Sequence, residues 1–197
     1  MRIETVAGTA EILLEGPAEP GLVVVVTHGS NGTVDAPDLA AVREVALGLG
    51  AGVARVTQPF RLAGRRAPGN AAKQDAAWLE AVAVVRAKWP EAPLVQCGRS
   101  NGARVACRTA VEAGAVGVLA LAFPLHPPGK PEKSRAAELR EAKVPVVVVN
   151  GDRDPFGVPD PADAAEVVVL AGERHDLHKD PARVGAAAEP WLRRWRS

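Results

Sequence analysis

The chain has 197 residues, a length that suits one domain spanning 1–197 with a sizeable buried core. It is 47% hydrophobic and 24% charged, which excludes a disordered chain and fits a globular, soluble one. A formal net charge of +1 gives no ground for a nucleic-acid partner, and the cluster Arg61, Arg65, Arg66 is too small to change that.

MRIETVAG has no secretory pattern. The longest apolar run, LVVVV, is far short of the roughly 20 residues a membrane span needs. Cys97 and Cys107 fall on an apolar strand and on the helix after it, so buried reduced thiols are expected, not a disulfide framework. These features lead us to expect a cytoplasmic protein that is monomeric or homodimeric, without a nucleic-acid or membrane partner.

In chain order, RIETV and EILLE suggest an antiparallel pair at one sheet edge. Apolar, β-branched runs then recur at 23–27, 53–57, 94–97, 116–122, 144–150 and 167–170. Helical patterns lie between and after them at 37–49, 70–89, 100–113, 134–142 and 181–196. Strands alternating with helices imply a mostly parallel, doubly wound sheet in a three-layer α/β/α sandwich. In such sheets, ligands bind beyond the carboxyl ends of the strands.

Five segments follow strands there: THGSNG, GRSNG, FPLHPPGK, NGDRDPFG and AGERHDLHKD. Most of the reactive side chains lie within them. GRSNG, between a strand and a helix, fits the G-x-S-x-G nucleophile elbow, a turn so tight that its serine is strained and lifted clear of the sheet. Ser100 would be the nucleophile, and the backbone N–H of Asn101 would face a developing oxyanion. The plainer alternative is that Ser100 only caps the helix.

A serine nucleophile needs a base and an orienting acid, which in this architecture follow in the order Asp, then His. Asp154 is the candidate acid, with Asp152 as a rival better suited to a turn. His175 is the candidate base, with His178 as its rival. A metal site built from His175, Asp176 and His178 has no clear third ligand, so no metal is expected. The Ser30 N–H in THGSNG is the second candidate oxyanion donor.

His28, His126 and Phe156 are candidate pocket residues. His28 is also read as a brace for its loop, and His126 as part of a Pro-rich turn. GLGAG follows a helix instead of a strand, and there is no G-x-x-x-x-G-K-[ST], so a nucleotide site is disfavoured. Trp191 and Trp195 in EPWLRRWRS are expected to pack on the sheet.

The motifs THG, QPF with GRR-A-P, GRSNGAR, FPLHPPGKPEKSR, NGDRDPFG and HDL resemble the α/β-hydrolase superfamily. More narrowly, the chain is similar to the small, lidless family related to dienelactone hydrolases, from about Leu22 onward. The resemblance implies a serine hydrolase without cofactor, using Ser100, Asp154 and His175 on a small-molecule acyl substrate. Dienelactone hydrolases carry cysteine where Ser100 stands, so their substrate is not carried over. About a dozen Pro-rich residues separate the strand ending at Ala122 from the next helix. That leaves no room for a lid and predicts an open, shallow site.

Overall fold

The computed structural model describes residues 1–196. Eight strands form one sheet: β1 (Arg2–Thr5), β2 (Gly8–Glu15), β3 (Val23–Thr27), β4 (Gly52–Thr57), β5 (Leu94–Arg99), β6 (Gly117–Leu121), β7 (Val146–Gly151) and β8 (Glu166–Leu170). Their order is β1-β2-β4-β3-β5-β6-β7-β8. β1 and β2 form the antiparallel edge, and β2 also runs antiparallel to β4. From β4 to β8 every pairing is parallel.

The VVVVT and GVLAL strands are buried along their whole length, as strands covered on both faces should be. Helices α1 (Pro37–Gly48) and α6 (Pro181–Trp195) cover one face, where Val24, Val26, Val42, Val184 and Leu192 pack together. Helices α3 (Ala71–Lys88), α4 (Asn101–Arg108) and α5 (Ala136–Arg140) cover the other, around Val25, Trp78, Val85, Ala106 and Leu139. Trp191 and Trp195 pack against the first of these layers, with ring centroids 5.3 Å apart. Both cysteines are free and buried, and burial pushes their thiols well above the ordinary range.

Two helices are shorter than the apolar pattern suggests. The stretch 100–113 is helical only through Arg108, because 109–114 turns back with Gly114 at φ 62°. The stretch 134–142 contains only the five residues of α5. A short helix missed by periodicity, α2 (Pro59–Leu62), follows β4. Its Pro at the first turn sets the entry. Residues 122–135, between β6 and α5, hold one short 3₁₀ turn and no lid. No helix among the described residues is long and apolar enough to cross a membrane.

Candidate active site

The sequence Gly98-Arg99-Ser100 ends β5 and turns at once into α4. Ser100 sits at φ 52°, ψ −115°, a conformation an L-residue adopts only under constraint, at a cost of about 1–3 kcal/mol. Its N–H is held by the Leu121 carbonyl at 2.9 Å, so the turn is pinned to the neighbouring strand. The elbow closes so tightly that a Cβ on Gly98 would lie 2.1 Å from the Gly102 carbonyl oxygen. A Cβ on Gly29 would come within 3.0 Å of the Ser100 Cβ, so that glycine lets the loop after β3 approach the candidate nucleophile.

The candidate base arrives from the loop after β8. His175 Nε2 lies 2.9 Å from Ser100 Oγ, and His175 Nδ1 lies 2.8 Å from Asp154 Oδ2. Asp154 is buried, and its other oxygen accepts the Phe156 N–H at 2.8 Å. Asn150 Nδ2 donates to Asp154 Oδ2 at 3.2 Å. The Phe156 ring lies against the His175 imidazole, with centroids 4.2 Å apart. Backbone contacts hold the base loop as well. The buried Glu173 carboxylate accepts the Asp180 N–H at 2.9 Å, and Arg99 Nη2 donates to the His175 carbonyl at 3.0 Å.

The rivals lie elsewhere. Asp152 is exposed and accepts the Gly172 N–H at 2.7 Å, the duty of a turn residue. His178 is exposed and pairs with Asp176 at 2.7 Å. Among the described residues, no group of three His, Cys, Asp or Glu side chains is placed to hold a metal ion.

Ser100 and His175 open into a cleft of about 420 Å³, lined also by Ser30, Asn101 and Phe156. Among the described residues, neither the Ser30 nor the Asn101 backbone N–H donates a hydrogen bond within the chain. Both amides are therefore free to donate to a ligand. Two of the candidate pocket residues do not line the cleft. His28 is fully buried behind it, as a loop brace. His126 packs its ring against Gly157, and its N–H donates to the Phe156 carbonyl at 3.0 Å.

Pattern reasoning singled out His28 as a brace, but not the other polar groups that support these loops. His28 Nδ1 faces the Gly29 carbonyl at 2.8 Å, and Nε2 accepts the Gln58 N–H at 3.0 Å. That arrangement fixes the proton on Nδ1, and burial holds the imidazole down at about 4, hence neutral. Gln74 Nε2 bridges Gln58 Oε1 and Asn101 Oδ1, each at 2.6 Å. One buried network thus links the loop after β3 to the residue after the nucleophile. On the other side Asp38, fully buried, sits 2.9 Å from Arg99 Nε. The pair is at ionic distance but poorly aligned, since among the described residues neither Asp38 oxygen has a well-aligned hydrogen-bond donor. Burial raises this carboxyl to about 6, against the pull of Arg99.

A sheet of this order, an elbow serine and a histidine between it and a buried aspartate define the α/β-hydrolase class. The chain belongs to the alpha/beta hydrolase domain family, whose model matches residues 20–189. It is similar in fold to a lidless serine hydrolase from Xanthomonas campestris, with 18% identity, TM-score 0.79, and 100% of this chain and 94% of that one covered. It is also similar to a dienelactone hydrolase from Anabaena variabilis, with 15% identity, TM-score 0.79, and coverage of 100% and 97%. A third likeness is to Est1E from Butyrivibrio proteoclasticus, solved with ferulic acid, with 16% identity, TM-score 0.80, and coverage of 99% and 98%. No curated protein matches the sequence significantly. At such identities the structural likenesses bear on the fold alone.

Proposed function

We propose that the protein hydrolyses a carboxylic ester or a related acyl bond through an acyl-enzyme on Ser100. The observation that carries this reading is the continuous line Ser100 Oγ, His175 Nε2, His175 Nδ1, Asp154 Oδ2, with both gaps at hydrogen-bond distance. Ser100 Oγ attacks the acyl carbon while His175 Nε2 takes its proton. Asp154 stabilises the imidazolium and keeps the other proton on Nδ1. The carbonyl oxygen, now negative, is met by the N–H groups of Ser30 and Asn101. Collapse expels the alcohol or thiol, which leaves with the proton from His175. Water, deprotonated by the same imidazole, then attacks the acyl-enzyme and frees the acid and Ser100.

The lidless cleft favours small or accessible acyl groups over long lipid chains. Est1E, which binds ferulic acid in its solved structure, shares this fold and supports an accessible ester as substrate. The first test is covalent labelling by a fluorophosphonate, read by intact mass, beside Ser100→Ala. Labelling of the wild type alone is expected. No labelling of folded protein would remove the reading. Rates that climb from acetyl to palmitoyl esters would overturn the acyl-size preference.

A further inference from the structure

The cleft around Ser100 carries an imbalance that the hydrolytic chemistry does not use. Arg99, Arg104 and Arg135 line it, and no Asp or Glu does. Two of these arginines have acidic partners outside the cleft lining. Arg99 pairs with Asp38, and Arg104 grips Glu138 at 2.5–3.2 Å through Nε and Nη2. Arg135 is different. Its Nη1 donates to the Pro124 carbonyl at 2.7 Å, and among the described residues no carboxylate forms an ion pair with it.

We propose that Arg135 receives a carboxylate carried by the substrate, so that the preferred acyl compounds are monoanions such as half-esters of dicarboxylic acids. This deepens the serine-hydrolase reading and rests on it for the reaction, though not for the binding. A half-buried guanidinium bonded only to a neutral carbonyl keeps most of its fork of donors available, and that fork matches a carboxylate. Its proton affinity is lowered by burial and by repulsion from Arg104. An arriving anion would offset the repulsion, which the charge of Glu138 opposes only from a distance beyond ion pairing. A monoanion fits better than a phosphate dianion, because the other two guanidiniums already have carboxylate partners. The same charge would also disfavour cationic esters.

The test separates binding from turnover. Ser100→Ala protein is titrated calorimetrically with monoethyl adipate and with diethyl adipate. The half-ester should bind about 10- to 100-fold more tightly, in line with a charge-assisted bond, and the preference should shrink with added salt. Adding Arg135→Gln should bring the two ligands to within about twofold, while Arg135→Lys retains part of the preference. Arg140→Gln is a control, since Arg140 is exposed, pairs with Asp163 at 2.9 Å and does not line the cleft.

Equal binding of both ligands to the Ser100→Ala protein would overturn the proposal, with no further variant needed. So would a preference that survives Arg135→Gln, or tighter binding of hexyl phosphate than of hexanoate. Wild-type protein is then assayed with the para-nitrophenyl half-ester of adipic acid and with para-nitrophenyl hexanoate. Binding through Arg135 without turnover of either ester would uphold the anion site and sink the hydrolase reading. Turnover of both at rates that Arg135→Gln lowers equally would do the reverse.

Discussion

The loops after β3 and β8 each present a histidine to the same end of the sheet, and the two imidazoles have opposite fates. His28 is fully buried, and its Nε2 is occupied by a backbone N–H that cannot leave. His175 is partly exposed, and its Nε2 meets a hydroxyl that can give up its proton. Nδ1 has an oxygen neighbour in both, a neutral carbonyl for His28 and a buried carboxylate for His175. A histidine at a strand end therefore takes its role from what occupies its second nitrogen. His28 is placed as a brace for the candidate oxyanion loop, and His175 is placed as the candidate base.

The largest expected effect would break this comparison on the His175 side. His175→Gln should lower kcat/KM for an accessible ester by roughly 10⁴-fold or more, and leave stability within about 1 kcal/mol. Ester kinetics beside a urea melt check both halves. A comparable activity in the variant would move the base elsewhere, with His178 as the next candidate.

How far this could be read from the sequence divides along the same line. Ser100, Asp154 and His175 sit directly after strands in short motifs, so strand periodicity alone brings them to one end of the sheet. The groups that hold them leave no such trace. Gln74 lies in the first turn of α3, and only the folded chain brings it to Asn101 across 27 positions. Glu173 and Asn150 stand inside quoted motifs, yet their roles depend on burial that no local pattern states. Arg99 and Arg135 also stand inside quoted motifs, and a charge reads as solvated until its neighbours are known. The helices expected at 100–113 and 134–142 end early for a related reason, since buried Ala110, Ala113 and Ala142 continue the apolar spacing into turns.

The next effect concerns the Arg99 side of the elbow. Among the described residues, Asp38 is the carboxylate that forms an ion pair with Arg99, whose side chain is 13% exposed, and Asp38→Ala removes it. The loss should be about 2–3 kcal/mol, toward the low end for a broken buried pair, because the cleft can admit water to Arg99. The raised carboxyl also sets a sign. With its folded value at about 6 against an ordinary 3.8, Asp38 favours the folded state increasingly as pH falls through that window. Its contribution is lost as pH rises through about 6. Denaturant melts of the wild type and of Asp38→Asn at several pH values read this directly. The stability difference between them should change most between about pH 4 and 6.

On the His28 side, His28→Leu leaves the buried Gln58 N–H without its acceptor. It should cost about 1–3 kcal/mol at neutral pH. Its pH dependence runs opposite to that of Asp38. A histidine depressed to about 4 from 6.5 supports the fold fully above about 6.5, and that support is lost as pH falls toward 4. The gap between wild type and His28→Leu should therefore narrow on acidification. A gap that widened in acid would mean that His28 is charged in the folded protein, and the brace assignment would fail.

The smallest effects are expected at the rivals, and they sharpen the comparison most cleanly. Asp152 and His178 differ from Asp154 and His175 by two and three positions and carry the same chemistry. Asp152 spends its carboxylate on the Gly172 N–H in solvent, and His178 on an exposed Asp176. Exposed pairs of that kind contribute little, so His178→Ala should shift stability by less than about 0.5 kcal/mol. Asp152→Ala should cost about 0.5–1.5 kcal/mol, the worth of one turn hydrogen bond. Neither should change kcat/KM more than about twofold, because neither side chain touches the line from Ser100 to Asp154. A tenfold loss of activity at Asp152, without a matching loss of stability, would mean that the loop after β7 rearranges to bring that carboxylate under His175. The difference between brace and base would then depend on loop motion as well as on what the fold fixes around each nitrogen.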